Sequence, residues 1–334
     1  MNVTFFELDD ASKKPFQPFA TSHELLSTEA RLCEDNADEF QRTEICSIFI
    51  NSRINEQVLE KLPSVKMITT RSTGVDHIDL AACAARDIQV CNVPGYGENA
   101  VAEHAFALLL TISHQMIGAA QRTKSGHFSP EGLIGFDLAG KKLGIIGAGA
   151  IGRRVIEIAR GFNMQVIAHD PDAIQATEPG QLVSYASLEE VLAAADIVSL
   201  HLPLTPHTKG MFSRDLFAKM KPGAILINTA RGDLIDNEAL IAALQSGELS
   251  AAGLDVIAGE QLLVEEAELV CPPDCARRDL AATSTARILL NMPNVVATPH
   301  SAFYTREAMQ KIADTTIENI EAFIRGEPIN LVSN

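Results

Sequence analysis

The sequence predicts an α/β chain of two domains, each built on a doubly wound parallel sheet, with a cleft between them. From about Leu143 onward, short apolar, β-branched runs alternate with helical stretches, the pattern of parallel strands covered by helices on both faces. The N-terminal part repeats that style less regularly. A length of 334 residues is enough for two separate cores.

In the first part, "NVTFFEL", "SIFINS", "VKMITTRSTG" and "IQVCNVPG" read as strands. "GENAVAEHAFALLL" follows as a long helix that passes from one domain to the other. The second part supplies six strands: "LGIIGAG", "VIAHD", "IVSLHLP", "AILINTA", "AAGLDV" and "VVATPH". Helices lie between them, among them "AIGRRVIEIARGF", "SLEEVLAAA" and "NEALIAALQSG". The last starts near Asp236 or Asn237, both good N-cap types, and ends at Gly247. The final stretch, "AFYTREAMQKIADTTIENIEAFIRG", is an amphipathic helix expected to return to the first domain. That makes the first domain discontinuous, residues 1–98 with 302–334, and leaves 99–301 as the second.

Composition narrows the function. A net charge of −16 argues against nucleic acid and against anionic membrane surfaces, because phosphate-binding surfaces need clustered Lys and Arg. The N-terminus "MNVTFFELDD" has neither the basic start nor the cleavage site of a signal peptide. The most apolar helix carries Glu103, His104 and His114 and reads as a buried domain helix, not a membrane span. Six scattered cysteines suit a reducing, cytoplasmic setting. Cys271-Pro-Pro-Asp-Cys275 has loosely metal-like spacing, but no second Cys/His pair follows it, so no metal site is expected.

The first chemical motif is "GIIGAGAIG", with Gly147, Gly149 and Gly152 in a G-x-G-x-x-G pattern between a strand and a helix. The first glycine permits a tight turn, the second lets backbone approach a pyrophosphate, and the third allows close helix–strand packing. A helix N-terminus favours the phosphates. About 18 residues after the third glycine, the next strand ends in Asp170, the place of a ribose-binding acid that would repel a 2′-phosphate. NAD, not NADP, is therefore the expected cofactor.

Three further strand ends carry polar groups. The fourth strand of this domain runs into "NTARGDLID", where Arg231 can pair with a carboxylate substrate or with Asp233 or Asp236. The fifth ends in Asp255, able to accept a hydrogen bond from a carboxamide such as that of nicotinamide, with Glu260 five residues on. The sixth, a buried-looking "VVA", delivers His300. Neighbouring strand ends in an open α/β sheet converge on one ligand crevice. A histidine oriented by a carboxylate there suits proton transfer near neutral pH. Hydride transfer between a nicotinamide and a 2-keto acid needs these groups.

The chain resembles the D-2-hydroxyacid dehydrogenase family, and most closely its NAD-dependent D-lactate branch. The resemblance spans nearly the whole length, through "RSTGVDHID", "NVPGYGENAVAEHA", "GIIGAGAIG", "HLPLTPHT", "NTARGDLID", "GLDV" with Glu260, and "TPHSAFYT". It implies Rossmann-like and flavodoxin-like domains and a catalytic trio of Arg231, Glu260 and His300. It implies that Thr73 and Gly74 offer backbone N–H groups to the substrate carboxylate, and that Tyr96 and Phe303 line the pocket. On the cofactor side it points to Ala150, Ile151, Asp170, Leu202, Pro203, Thr208, Thr229, Ala230 and Asp255. It also implies a homodimer with the long helix after "NVPG" at the interface, and a small 2-keto or 2-hydroxy acid as substrate.

The sequence departs from the family in two places. The segment between Glu260 and the His300 strand is long and apolar, and "VIAGE" lacks the aromatic that often follows Asp-Val, which bears on substrate size. Glu260 argues against the formate-oxidising branch, which has Gln as the histidine partner. With a short tail after the final helix, no regulatory domain of the phosphoglycerate dehydrogenase kind is expected. The expected reaction is reduction of pyruvate, or a close 2-keto acid, to the D-hydroxy acid with NADH; alternatives are an NAD(H)-sensing corepressor-like protein and a glyoxylate, hydroxypyruvate or branched 2-keto acid reductase.

Overall fold

The computed structural model describes residues 1–9, 12–16, 25–171, 183–260 and 280–332. Cys271, Cys275 and most of the segment before the His300 strand lie outside the described residues. The chain divides into two compact units, Met1–Tyr96 with Tyr304–Asn334, and Gly97–Phe303.

The first unit holds strands β1 (Val3–Phe5), β2 (Leu25–Ser27), β3 (Ile45–Ile48), β4 (Met67–Thr70) and β5 (Gln89–Cys91), with helices α1 (Glu56–Glu60) and α2 (Leu80–Ala84) between them. All pairs are parallel, in the order β2-β1-β3-β4-β5. Alternate strand residues go to opposite faces, as a period of two requires. Phe6, Cys46, Ile48, Ile68 and Val90 join one core with Val58 and Leu59 of α1. Val3, Phe5, Ile45, Met67 and Cys91 join the other. Burial pushes the Cys46 thiol up to about 12 and the Cys91 thiol up to about 11; thiols that do not ionise are poor nucleophiles.

The second unit starts with α3 (Glu98–Ser113) and α4 (Met116–Lys124). It continues through β6 (Lys142–Ile146), α5 (Ala150–Gly161), β7 (Gln165–His169), β8 (Ser184–Tyr185), α6 (Leu188–Ala194), β9 (Ile197–Leu200), α7 (Arg214–Phe217), β10 (Ala224–Asn228), α8 (Asn237–Ser246), β11 (Leu249–Leu254), α9 (Leu280–Asn291) and β12 (Val295–Ala297). The seven strands run parallel in the order β12-β11-β10-β9-β6-β7-β8. The chain order reverses between β6 and β9, the switch point where such sheets open a ligand crevice. One face buries Leu143, Ile145, Ile197, Ile225 and Ile227 under α3 and α5. The other buries Ile146, Val198, Leu200, Leu226 and Leu254 under α6 and α8.

Local chemistry sets the helix ends. Asp236 caps α8 by accepting from Glu238 and Ala239, and Gly247 closes it at φ 81°. Ser187 and Glu190 form a reciprocal capping box on α6. No single helix among the described residues is long and apolar enough to cross a membrane. α3 instead buries Ala102, Ala105, Phe106, Leu108 and Leu109 in the core of its unit.

The last helix, α10 (Arg306–Ile324), packs in the first unit, with Ala313 and Ile320 in its core. The tail is stitched there by Asn92 N–H to the Asn330 carbonyl, Val332 N–H to the Val90 carbonyl, and Asn319 Nδ2 to the Asn92 carbonyl.

Two strands exceed the sequence-based expectation, β2 and the two-residue β8. The expected buried strand before His300 is half-buried throughout, because among the described residues β12 is the sheet's edge strand, with a neighbour on one side only.

Candidate active site

The Gly-rich turn follows β6 and opens α5. Gly147 has φ 95°, and a Cβ there would meet the His201 carbonyl oxygen at 2.6 Å. A Cβ on Gly152 would lie 2.1 Å from the Gly147 carbonyl oxygen. Both positions therefore exclude a side chain. At Gly149 a Cβ would meet nothing within 4 Å. The first and third glycines are needed by the protein's own packing, whereas the second keeps an open approach at the N-terminus of α5. This arrangement fits a dinucleotide pyrophosphate. Asp170 follows β7, and its Oδ2 accepts the Ala148 N–H at 2.8 Å, so the acidic side chain is held to the same turn. Ala150 and Ile151 form the first residues of α5.

Around the switch point, Leu202 and Pro203 follow β9. Leu202 packs toward Gly147, its Cδ2 3.1 Å from where a Cβ would stand. The Thr208 hydroxyl is used inside its own loop, donating to the Pro203 carbonyl at 2.7 Å and accepting the Thr205 N–H at 2.8 Å. Thr229 is buried after β10, and its hydroxyl has no hydrogen-bond partner among the described residues.

The three expected polar residues follow β10, β11 and β12, which are neighbours in the sheet. Buried Asn228 fixes the turn that presents Arg231, accepting the Ala230 N–H and donating to the Arg231 carbonyl. Arg231 is half-buried and donates from Nη1 to the Ala230 carbonyl at 2.8 Å. The next residue, Gly232, lies against the loop after β11: a Cβ there would be 2.3 Å from the Ile257 carbonyl carbon. Asn237 Nδ2 donates to the Ala258 carbonyl across the same seam. The Arg231 loop and the Glu260 loop are thus built against one another.

His300 Nδ1 lies 2.7 Å from Glu260 Oε1, with both side chains about 30% exposed. A carboxylate only accepts, so Nδ1 carries the hydrogen and Nε2 remains for proton exchange. Glu260 Oε2 accepts the Ile257 N–H at 2.9 Å, which fixes the carboxylate. The His300 backbone is left-handed, φ 51°, a conformation that costs a non-glycine residue about 1–3 kcal/mol. Phe303 stands edge-on to the imidazole, centroids 6.4 Å apart.

Asp255 is 1% exposed. Its carboxylate accepts from the Thr298 hydroxyl (2.5 Å), Ser301 N–H (2.9 Å) and Ala302 N–H (2.9 Å), while His104 Nε2 lies 3.4 Å away. Burial would raise the Asp255 pKa, but the bonds from His104, Thr298, Ala302 and Ser301 outweigh it and hold the carboxyl below its usual value. Its carbonyl accepts the His300 N–H at 2.9 Å. Asp255 is therefore the hub around which the His300 loop is wound. Sequence reasoning singled it out for a cofactor contact and missed this anchoring, as it missed the part of His104 and Thr298.

Thr73, Gly74 and Tyr96 lie in the first unit. Thr73 is pinned by its hydroxyl to the Val93 carbonyl and by its own carbonyl to Asn92 Nδ2, and the Ser72 hydroxyl donates to the Gly74 carbonyl. Among the described residues, the N–H groups of Thr73 and Gly74 donate to no protein acceptor. The loop follows β4, at a carboxyl end of the five-stranded sheet.

Residues 106–302 match the family model described as the NAD binding domain of the D-isomer specific 2-hydroxyacid dehydrogenases. The chain is 35% identical to the D-lactate dehydrogenase of Escherichia coli over 98% of both chains. The chain belongs to the D-isomer specific 2-hydroxyacid dehydrogenase family. It is also 38% identical to an aromatic 2-oxoacid reductase of Clostridium sporogenes, covering 83% of this chain and 82% of that one. Among solved structures, the D-lactate dehydrogenase of Aquifex aeolicus, complexed with NAD and lactic acid, matches at TM-score 0.86 and 32% identity, over 98% of this chain and 96% of that one. This dehydrogenase is thus an NAD-dependent oxidoreductase that acts on the CH–OH group of 2-hydroxy acids. Its Gly147–Gly152 turn has the space and the exclusions that NAD binding asks for.

Proposed function

We propose that this dehydrogenase reduces pyruvate to D-lactate with NADH. The observation that carries the reading is the His300–Glu260 pair, 2.7 Å apart on loops adjoining the Arg231 turn. Residues 99–301 serve as the cofactor domain, and residues 1–98 with 302–334 as the substrate domain.

Bound NADH supplies the hydride. His300 holds the proton at Nε2 and gives it to the carbonyl oxygen as that oxygen becomes an alkoxide. The keto acid thereby gains one hydride and one proton and becomes the hydroxy acid, and the imidazole is left neutral. Glu260 keeps the ring oriented and stabilises its positive charge before transfer. Arg231 pairs with the substrate carboxylate and polarises the carbonyl. By resemblance to the family, Thr73 and Gly74 would offer N–H groups to a substrate carboxylate, and Tyr96 and Phe303 would line a substrate pocket. On the cofactor side, Gly147, Gly149, Ala150, Ile151 and Gly152 hold the pyrophosphate and Asp170 the ribose. Leu202, Pro203, Thr208, Thr229, Ala230 and Asp255 surround the rest.

The names of the Escherichia coli and Aquifex aeolicus relatives support a small substrate. The Clostridium sporogenes relative makes a larger, aromatic 2-keto acid the competing choice. The protein acts as a cytoplasmic homodimer. Exposed apolar side chains at Met116, Ile117, Phe128 and Ile134 support an association surface on the second unit.

The test is NADH consumption, followed by absorbance, with pyruvate, glyoxylate, hydroxypyruvate, 2-ketoisocaproate and phenylpyruvate. We expect the highest kcat/KM with pyruvate. Turnover of none of them by folded protein that binds NADH would overturn the reading in favour of a cofactor-sensing role.

A further inference from the structure

His104 is a second histidine tied to the loop that carries His300, although among the described residues its hydrogen-bonding partners are Thr298 and Asp255, not His300 or Glu260. It projects from α3, whose neighbouring residues Ala102, Ala105 and Phe106 are buried in the core. Its Nε2 is 2.9 Å from Thr298 Oγ1 and 3.4 Å from Asp255 Oδ1. The direction of the first bond follows from accounting. The one hydroxyl hydrogen of Thr298 goes to Asp255 Oδ1. At its other contact Thr298 must therefore accept, and His104 Nε2 must carry a hydrogen. The chain of donors runs from His104 to Thr298 to Asp255.

Asp255 in turn holds the loop by both ends of the residue. Its carbonyl takes the His300 N–H, and its carboxylate takes the Ser301 and Ala302 N–H groups. Between these bonds the His300 backbone sits at φ 51°. A strained conformation of that kind persists only where its surroundings over-determine it, and a hydroxyl that accepts a hydrogen bond donates more firmly, so the His104 N–H strengthens the Thr298 bond to Asp255.

We propose that His104 is a positioning residue for proton transfer: through Thr298 and Asp255 it holds His300 in the backbone conformation that keeps the imidazole on Glu260. This rests on the reading of His300 as the proton donor. Loss of the His104 N–H lets the 298–302 loop relax toward ordinary backbone angles. The ring then spends less time in its working place, and a misplacement of about 1 Å costs on the order of a hundredfold in rate. The chemical step suffers, and cofactor binding does not.

The experiment measures kcat, KM for the fastest keto acid and NADH affinity by fluorescence, for His104→Ala and His104→Gln. Gln offers an N–H at similar reach. We expect kcat to fall about 10- to 100-fold in His104→Ala, with NADH affinity unchanged, and to recover to within about threefold in His104→Gln. Thr298→Val and Thr298→Ser provide a second pair, Val losing kcat and Ser keeping it, and decide the matter if His104→Ala does not fold. A wild-type kcat in folded His104→Ala or Thr298→Val would overturn the proposal. So would a loss confined to NADH affinity, or a His104→Gln variant as slow as Ala. His300→Ala, run alongside, separates the two claims. If it keeps wild-type kcat, the proton-donor reading fails; if it alone is slow, only the assignment of His104 falls.

Discussion

Two regions of the seven-stranded sheet, the turn at its switch point and the corner at its β10–β12 edge, are built by different means. At the switch point, the turn after β6 is specified by backbone: Gly147 and Gly152 are where a single added carbon would collide with a carbonyl. At the β10–β12 edge, the corner is specified by side chains. Asn228, Asp255, Thr298 and Glu260 each accept or donate hydrogen bonds that fix a neighbouring loop. A backbone-made site keeps its shape whatever the surrounding side chains do, but tolerates no substitution at its glycines. A side-chain-made site tolerates small substitutions while its network stays complete.

The largest effect is expected at the corner. His300→Ala is expected to lower kcat by about a hundred- to ten-thousand-fold while leaving NADH affinity intact, as read by steady-state kinetics and fluorescence titration. An equal loss of cofactor affinity would mean that the two regions are not separately built.

At the turn, two alanines should behave differently. Gly152→Ala is expected to lose about 1–3 kcal/mol of stability, seen in denaturant unfolding, because the new carbon meets the Gly147 carbonyl. Gly149→Ala should unfold like wild type but bind NADH about tenfold more weakly, a difference of about 1.4 kcal/mol. If both variants lose stability alike, the open approach at Gly149 is not a cofactor feature.

The third test is pH. The folded Asp255 carboxyl sits below its usual pKa, its hydrogen bonds outweighing burial. A carboxyl depressed in the folded state adds stability above its unfolded pKa, about 3.9, and loses it as pH falls through the folded value. Asp255→Asn should therefore flatten the fall of stability between about pH 5 and about pH 2, measured by chemical unfolding. An unchanged slope would deny Asp255 its role as hub. The smallest effect is expected at the helix cap Asp236, where Ala should cost about 1 kcal/mol without altering kcat.

The same contrast explains what could be read from the sequence. The glycine turn, its helix and Asp170 are contiguous, and each residue type has a local backbone reason, so the motif carries its own context. The long strands declare themselves as apolar β-branched runs. β8, two residues long, and β2, three residues with Leu26 exposed, are too short to show a period. "VVA" before His300 looked buried because edge and centre strands share composition; only the topology tells them apart. At the corner, the polar residues were visible as strand ends, and the adjacency of β10, β11 and β12 followed from the usual winding order. The network behind them was not. His104 and Thr298 are 194 positions apart, and nothing in "AEHAF" or "ATPHS" distinguishes a bonded pair from two surface side chains.

In the proposed reaction hydride and proton reach one carbonyl, and a deuterium label on the cofactor follows the hydride. Pyruvate reduced with NADH carrying deuterium at the transferable position should yield lactate of D configuration with deuterium at C2, resolved by chiral chromatography and mass spectrometry. Racemic or L-lactate, or D-lactate with its C2 hydrogen drawn from solvent, would contradict it.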